Sequence, residues 1–250
     1  MSKDSEDPPT VTATVAEAEA KTKTKTGQPD TQNDKMMQYI AGILRLLASI
    51  FFMCAAVSFH PDVADGSEYR FGAYRFGKVG GFFMTGFFLL GTALAAELYM
   101  KRDKGPMIVG SISVTLFAVV LLFIAGILLT IWDVLTFSDV LIDFEFDAFA
   151  GVFITGSLIL FTCQVVEVFA YSGGEDESRI VMMISMVIAI VGTFFFFLGA
   201  VFSIEDVLIP DDYSPEDYVS NLERRAALFV TGSVLYLVHA IAYLVDSFMM

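Results

Sequence analysis

Ionisable side chains stand inside long apolar runs of this sequence: Arg45, Glu97, Glu167 and His239, with Asp246 at the end of the last run. Ionisable groups are costly in such surroundings, so each is a candidate for an ion pair, a proton relay or a ligand contact. Arg45 lies eight residues into the first run. Glu97 and Glu167 fall near the ends of the second and fourth runs, and His239 falls within the sixth. At the rise of an α-helix, Arg45 stands roughly 20 Å from the far end of its run and Glu97 roughly 27 Å from the matching end of its own. An arginine side chain spans most of that difference, so a pair between Arg45 and Glu97 or Glu167 is feasible. Three readings compete for these groups: a structural ion pair, snorkelling to the headgroups, and a proton or ion relay. His239 is read as a hydrogen-bonded helix residue, with proton transfer as the alternative.

No other chemistry is spelled out. The sequence has no His-Glu-x-x-His pair, no Cys/His metal spacing, no phosphate-binding glycine loop and no Gly-x-Ser-x-Gly elbow. It has no potassium-filter string. Catalytic residues, cofactors and metal ligands are therefore expected to be absent, and an enzyme has no support. Cys54 and Cys163 both fall in apolar runs and read as helix residues rather than a disulfide.

The elements that carry the charged groups are membrane spans. Hydrophobic residues make up 56% of the 250, and only 18% are charged. Apolar runs occur at about 37–58, 79–99, 107–132, 148–171, 180–203 and 225–246, with all seven prolines outside them. Each run matches the ~20 residues a helix needs to cross ~30 Å of hydrocarbon. Residues 1–35 are rich in Thr, Ala, Lys and Glu, lack aromatics, and read as a disordered tail. The tail has no apolar h-region, so a signal peptide is not expected.

Lys and Arg counts set the orientation. With six spans, Lys3, Lys21, Lys23, Lys25, Lys35, Lys101, Arg102, Lys104 and Arg179 share one side, against Arg70, Arg75, Lys78, Arg224 and Arg225. Nine against five places both termini in the cytoplasm; which membrane is left open. The three loops on the opposite side carry fifteen acidic residues within a net charge of −14. Such a face argues against nucleic acid as a partner.

One phrase occurs three times: FMTGFFLLG from Phe83, FITGSLILF from Phe153 and FVTGSVLYL from Phe229. Aligned, the copies read Gly81-x-Phe83-x-Thr85-Gly86, Gly151-x-Phe153-x-Thr155-Gly156 and Ala227-x-Phe229-x-Thr231-Gly232. Ahead of each lies an Asp-Val pair, at Asp62, Asp133 and Asp206, preceded seven positions earlier by Ala55, Gly126 or Gly199. The two landmarks stand 23, 22 and 25 residues apart, in the same order each time. The chain thus reads as three tandem two-helix hairpins with a period of about 70–76 residues. The expected units are 36–105, 106–178 and 179–250.

An even number of spans per copy keeps every copy in one orientation, so the repeats are parallel. A pseudo-threefold bundle is the simplest closed arrangement; an open row is the alternative. The small residues four apart in each phrase share a helix face, where they suit close helix packing with Thr bonding across the contact. Phe, two residues before Thr, projects about 200° away, toward lipid or the hairpin partner. The functional alternative has Thr85, Thr155 and Thr231 lining an axial constriction.

The size of the hairpin and the Gly-Ser strings at Gly156-Ser157 and Gly232-Ser233 resemble the YrhK-like membrane domain. The first copy departs from its pattern at Gly86-Phe87. The resemblance covers about 37–250 and implies a paired-helix architecture with no assigned activity, substrate or site. The expectation is an all-α, polytopic membrane protein of six transmembrane helices, non-enzymatic and acting through helix packing or a partner. That partner is a membrane protein or a second copy, besides the lipid bilayer itself. The runner-up is a small cation channel or transporter with a threonine-lined axis.

Overall fold

The structure, a computed structural model, describes residues 31–60, 77–103, 105–135, 142–171, 177–204 and 215–249. Six α-helices account for nearly all of them: α1 (Thr31–Ser58), α2 (Gly77–Met100), α3 (Pro106–Leu135), α4 (Ile142–Tyr171), α5 (Glu177–Val201) and α6 (Pro215–Met249). Each contains a segment long and apolar enough to cross a membrane, from 20 residues in α5 to 29 in α6. Among the described residues there is no strand. The fold is all-α and polytopic.

The helices overrun the apolar runs at several ends. α1 opens at Thr31, inside the expected tail, because Thr-Gln-Asn-Asp-Lys contains no helix breaker. Residues 1–30 lie outside the described residues, as do Asp62 and Asp206. α3 and α6 each open on proline, Pro106 and Pro215, where the missing N–H removes no helical bond. Between α2 and α3 the chain turns on Gly105 at φ +109°, a conformation that side chains with a Cβ resist.

Every helix packs against its neighbours in sequence, and α1 closes on α6. The six therefore form a closed ring. Neighbours run antiparallel: Arg45 meets Glu97 while Phe52 meets Phe83 and Phe87, and Ser185 meets His239 while Gly192 meets Gly232.

Burial along the even helices follows a 4-3 alternation. On α6 one buried row runs Leu222, Ala226, Phe229, Ser233, Tyr236, Ala240 and Tyr243, beside a second of Arg225, Gly232, His239 and Asp246. The spacing of the first row averages 3.5 residues, the seam that lets helices cross at a shallow angle. The opposite faces present large apolar side chains outward, among them Ile50, Phe88, Phe117, Leu158, Ile184 and Val238, one from each helix. A soluble bundle would carry polar residues there; this outer surface suits acyl chains.

Candidate functional site

The three phrases bring their phenylalanines, not their threonines, to the axis of the ring. Ring centroids lie 5.6 Å apart for Phe83 and Phe153, 5.8 Å for Phe83 and Phe229, and 5.7 Å for Phe153 and Phe229, with interplanar angles of 67°, 64° and 79°. These are edge-to-face contacts, the arrangement that the aromatic quadrupole favours. All three rings are fully buried. Phe87, Phe149, Phe196 and Phe59 extend the layer. The expectation of a lipid-facing phenylalanine is thus corrected: the ring turns to the axis, where Phe83 and Phe229 also meet the hairpin-partner rings of Phe52 and Phe196.

Thr85, Thr155 and Thr231 are exposed on the outer surface. Each hydroxyl donates to the carbonyl one turn back, on Gly81 at 2.9 Å, Gly151 at 2.8 Å and Ala227 at 2.8 Å. Self-satisfied in this way, a threonine can face lipid without an orphaned donor. Neither cross-helix bonding nor an axis lined by these threonines is found. Phe and Thr project to opposite sides of one helix, so only one of them can turn inward. Gly81 and Gly151 face open space, and Ala227 is exposed.

The glycine after each threonine is the contact residue. A Cβ built on Gly86 would stand 2.5 Å from Phe52 Cε1 and 3.2 Å from the Ala48 carbonyl oxygen. On Gly156 it would stand 2.9 Å from Leu122 Cγ and 3.2 Å from the Ala118 oxygen. On Gly232 it would stand 2.9 Å from the Gly192 oxygen and 3.2 Å from Phe196 Cδ1. The matching positions Ala48, Ala118 and Gly192 are 70 and 74 residues apart. The Asp-Val landmarks are 71 and 73 apart, one residue out of register with these contacts.

On one side of the phenylalanine layer lies a polar cavity of about 60 Å³, lined from all six helices. It has room for roughly two to four waters. The even helices supply it in steps counted from the layer. Leu90, Leu160 and Tyr236 come seven positions on, Leu94, Gln164 and Ala240 eleven, and Glu97, Glu167 and Tyr243 fourteen. Arg45, Thr115 and Ala189, again 70 and 74 residues apart, complete it from the odd helices. Positions equally spaced from the three phrases meet here, but their chemistry differs from helix to helix.

Arg45 and Glu97 form an ion pair through Nη2 and Oε2, with side chains 13% and 8% exposed. Lys101, four residues on and just past the end of α2, donates to the other carboxylate oxygen of Glu97. The Arg45 guanidinium also lies 4.4 Å from the Tyr243 ring centroid, while its Nε is buried without a hydrogen-bond partner. Glu167 accepts a hydrogen bond from Ser111 Oγ at 3.1 Å.

Deeper in the cavity, Gln164 Nε2 donates to the Tyr236 hydroxyl at 2.9 Å and Thr193 Oγ1 donates to Gln164 Oε1 at 2.7 Å. The Thr193 and Tyr236 hydroxyls close the triangle at 2.6 Å. His239 Nδ1 lies 2.7 Å from Ser185 Oγ and 3.1 Å from its carbonyl oxygen.

The structure therefore gathers Arg45, Glu97, Glu167 and His239 around one cavity. Sequence reasoning missed Gln164, Thr193, Tyr236 and Ser185. Gln164 had a usable signal, since it precedes Glu167 by three positions and shares its helix face. Cys54 is exposed and Cys163 buried, both as free thiols. Among the described residues no group of three or more His, Cys, Asp or Glu could hold a metal ion. Comparison with family models, with curated proteins and with solved structures finds no match to this chain.

Proposed function

We propose that the chain is a non-enzymatic integral membrane protein, three parallel YrhK-like hairpins closed around one axis, that acts through its helix surfaces on a membrane partner or a second copy. The carrying observation is the triangle of Phe83, Phe153 and Phe229, which blocks the axis at the same position of each phrase. An aromatic layer fitted this closely leaves no room for a hydrated path between its rings, and the polar cavity lies on the Arg45 side of it. The Lys and Arg balance puts that side, which holds Lys101, toward the cytoplasm together with both termini.

A liposome flux assay on the purified full chain tests the reading. Cation flux should stay at the level of empty liposomes, and replacing Thr85, Thr155 and Thr231 by Val should change nothing. Reproducible flux that this triple replacement abolishes would overturn the closed bundle in favour of a threonine-lined channel.

A further inference from the structure

A second, smaller cavity of about 30 Å³ adjoins the polar one near the turn between α2 and α3. Both cavities are lined by Glu97, Glu167 and Met186. The smaller one also reaches Lys101, whose side chain is 27% exposed, and Ser111. The two carboxylates therefore stand at a junction between the bundle interior and one membrane face. We propose that Glu167 is a proton-exchange site, reached from that face through the smaller cavity and closed off from the other face by the phenylalanine layer.

Three observations carry this. First, the cations are unevenly shared. Glu97 holds both Arg45 and Lys101, whereas among the described residues Glu167 has a hydroxyl, Ser111, and no ion pair. A half-buried carboxylate without a paired cation is unfavourable, and a proton relieves it at no cost in space.

Second, the setting disfavours a metal cation. Arg45 and Lys101 stand at the same junction, and the oxygen of Gln164 is already engaged by Thr193. Third, the polar cavity has room for a few waters beside Glu167, Tyr236 and His239. Water there can hydrate the carboxyl and hand its proton on.

The charged and titratable groups around Glu167 are Arg45 from α1, Glu97 from α2 with Lys101 just past its end, and Tyr236, His239 and Tyr243 from α6. Cys163 lies one turn back on its own helix. Ser111 and Thr115 face it from α3, and Met182 and Met186 from α5. The balance is simple. A hydronium at the mouth gives its proton to the Glu167 carboxylate, leaving water, and the proton returns by the same route.

The proposal rests on the closed membrane bundle, but its test does not use flux. Infrared difference spectra of the full-length protein in liposomes, taken between acid and alkaline buffers, read carboxyl protonation directly. The wild type should show a protonated-carboxyl C=O band that is lost in Glu167→Gln, retained in Asp246→Asn, and the same in sodium chloride as in choline chloride. Absence of the band, its survival in Glu167→Gln, or its displacement by sodium alone would overturn the proposal. Should Glu167→Gln fail to give monodisperse protein, Ser111→Ala decides: loss of the hydroxyl must shift the band, and an unmoved band refutes the assignment.

Discussion

Gly86 and Phe52 approach so closely that a Cβ added to the glycine would stand 2.5 Å from the ring edge. The Ala48 carbonyl oxygen, one turn before Phe52 on the same helix and 3.2 Å from that Cβ, leaves little room for relief. Gly86→Ala should therefore destabilise the bundle by about 1–3 kcal/mol, the usual cost of overpacking. Gly156→Ala should behave alike. Gly81→Ala and Gly151→Ala point into open space, and should be neutral or stabilising by up to about 1 kcal/mol, because alanine holds a helix better than glycine. Thermal unfolding in detergent ranks the four. Equal costs for Gly81 and Gly86 would refute the assignment of faces.

The threonines follow from the same geometry. Thr85, Thr155 and Thr231 are exposed and bond only within their own helices. Single replacements by Val should each change stability by less than about 0.5 kcal/mol. A loss of several times that from any one of them, in the same unfolding assay, would mean that its hydroxyl bonds to a neighbouring helix.

The six helices were legible in the sequence because a span of ~20 apolar residues has one main physical meaning. The repeated phrase marked real contact positions too: Phe83, Phe153 and Phe229 meet, and Gly86, Gly156 and Gly232 pack alike. Which side of the phrase turns inward was not legible. Lipid chains are as apolar as a core, so hydropathy does not separate the two faces of such a helix. Thr85 looked like an inward residue by its polarity, yet a bond to its own helix frees it from needing a partner. The cavity was half legible. Arg45 and Glu97 stood out by charge, whereas Tyr236, Gln164 and Thr193 form their triangle only once α4, α5 and α6 pack together.

The Arg45–Glu97 pair offers a double-mutant cycle. Removing Glu97 leaves the shielded Arg45 charge without its counter-ion, so Glu97→Gln alone should cost about 3–5 kcal/mol, and Arg45→Met less, because Lys101 still holds Glu97. The double replacement should cost clearly less than the sum, because no unpaired charge then remains. The same unfolding assay measures all three. Strict additivity would show that the pair, though in contact, contributes no coupling and that Lys101 alone neutralises Glu97.

Tyr236 joins α4, α5 and α6 through one hydroxyl, which meets both Gln164 and Thr193. Tyr236→Phe keeps the ring, and with it the contacts to Phe52 and Phe196. It removes only the oxygen, leaving the Gln164 amide without its acceptor. A cost of about 1–3 kcal/mol is expected for that unsatisfied donor. Replacing the rest of the triangle as well, with Gln164→Leu and Thr193→Val added to Tyr236→Phe, removes every orphaned group together. The triple variant should then recover most of the loss, since apolar packing substitutes well for a network removed whole. Measured stabilities that fall further with each step would show instead that the three side chains bond to water in the cavity, independently of one another.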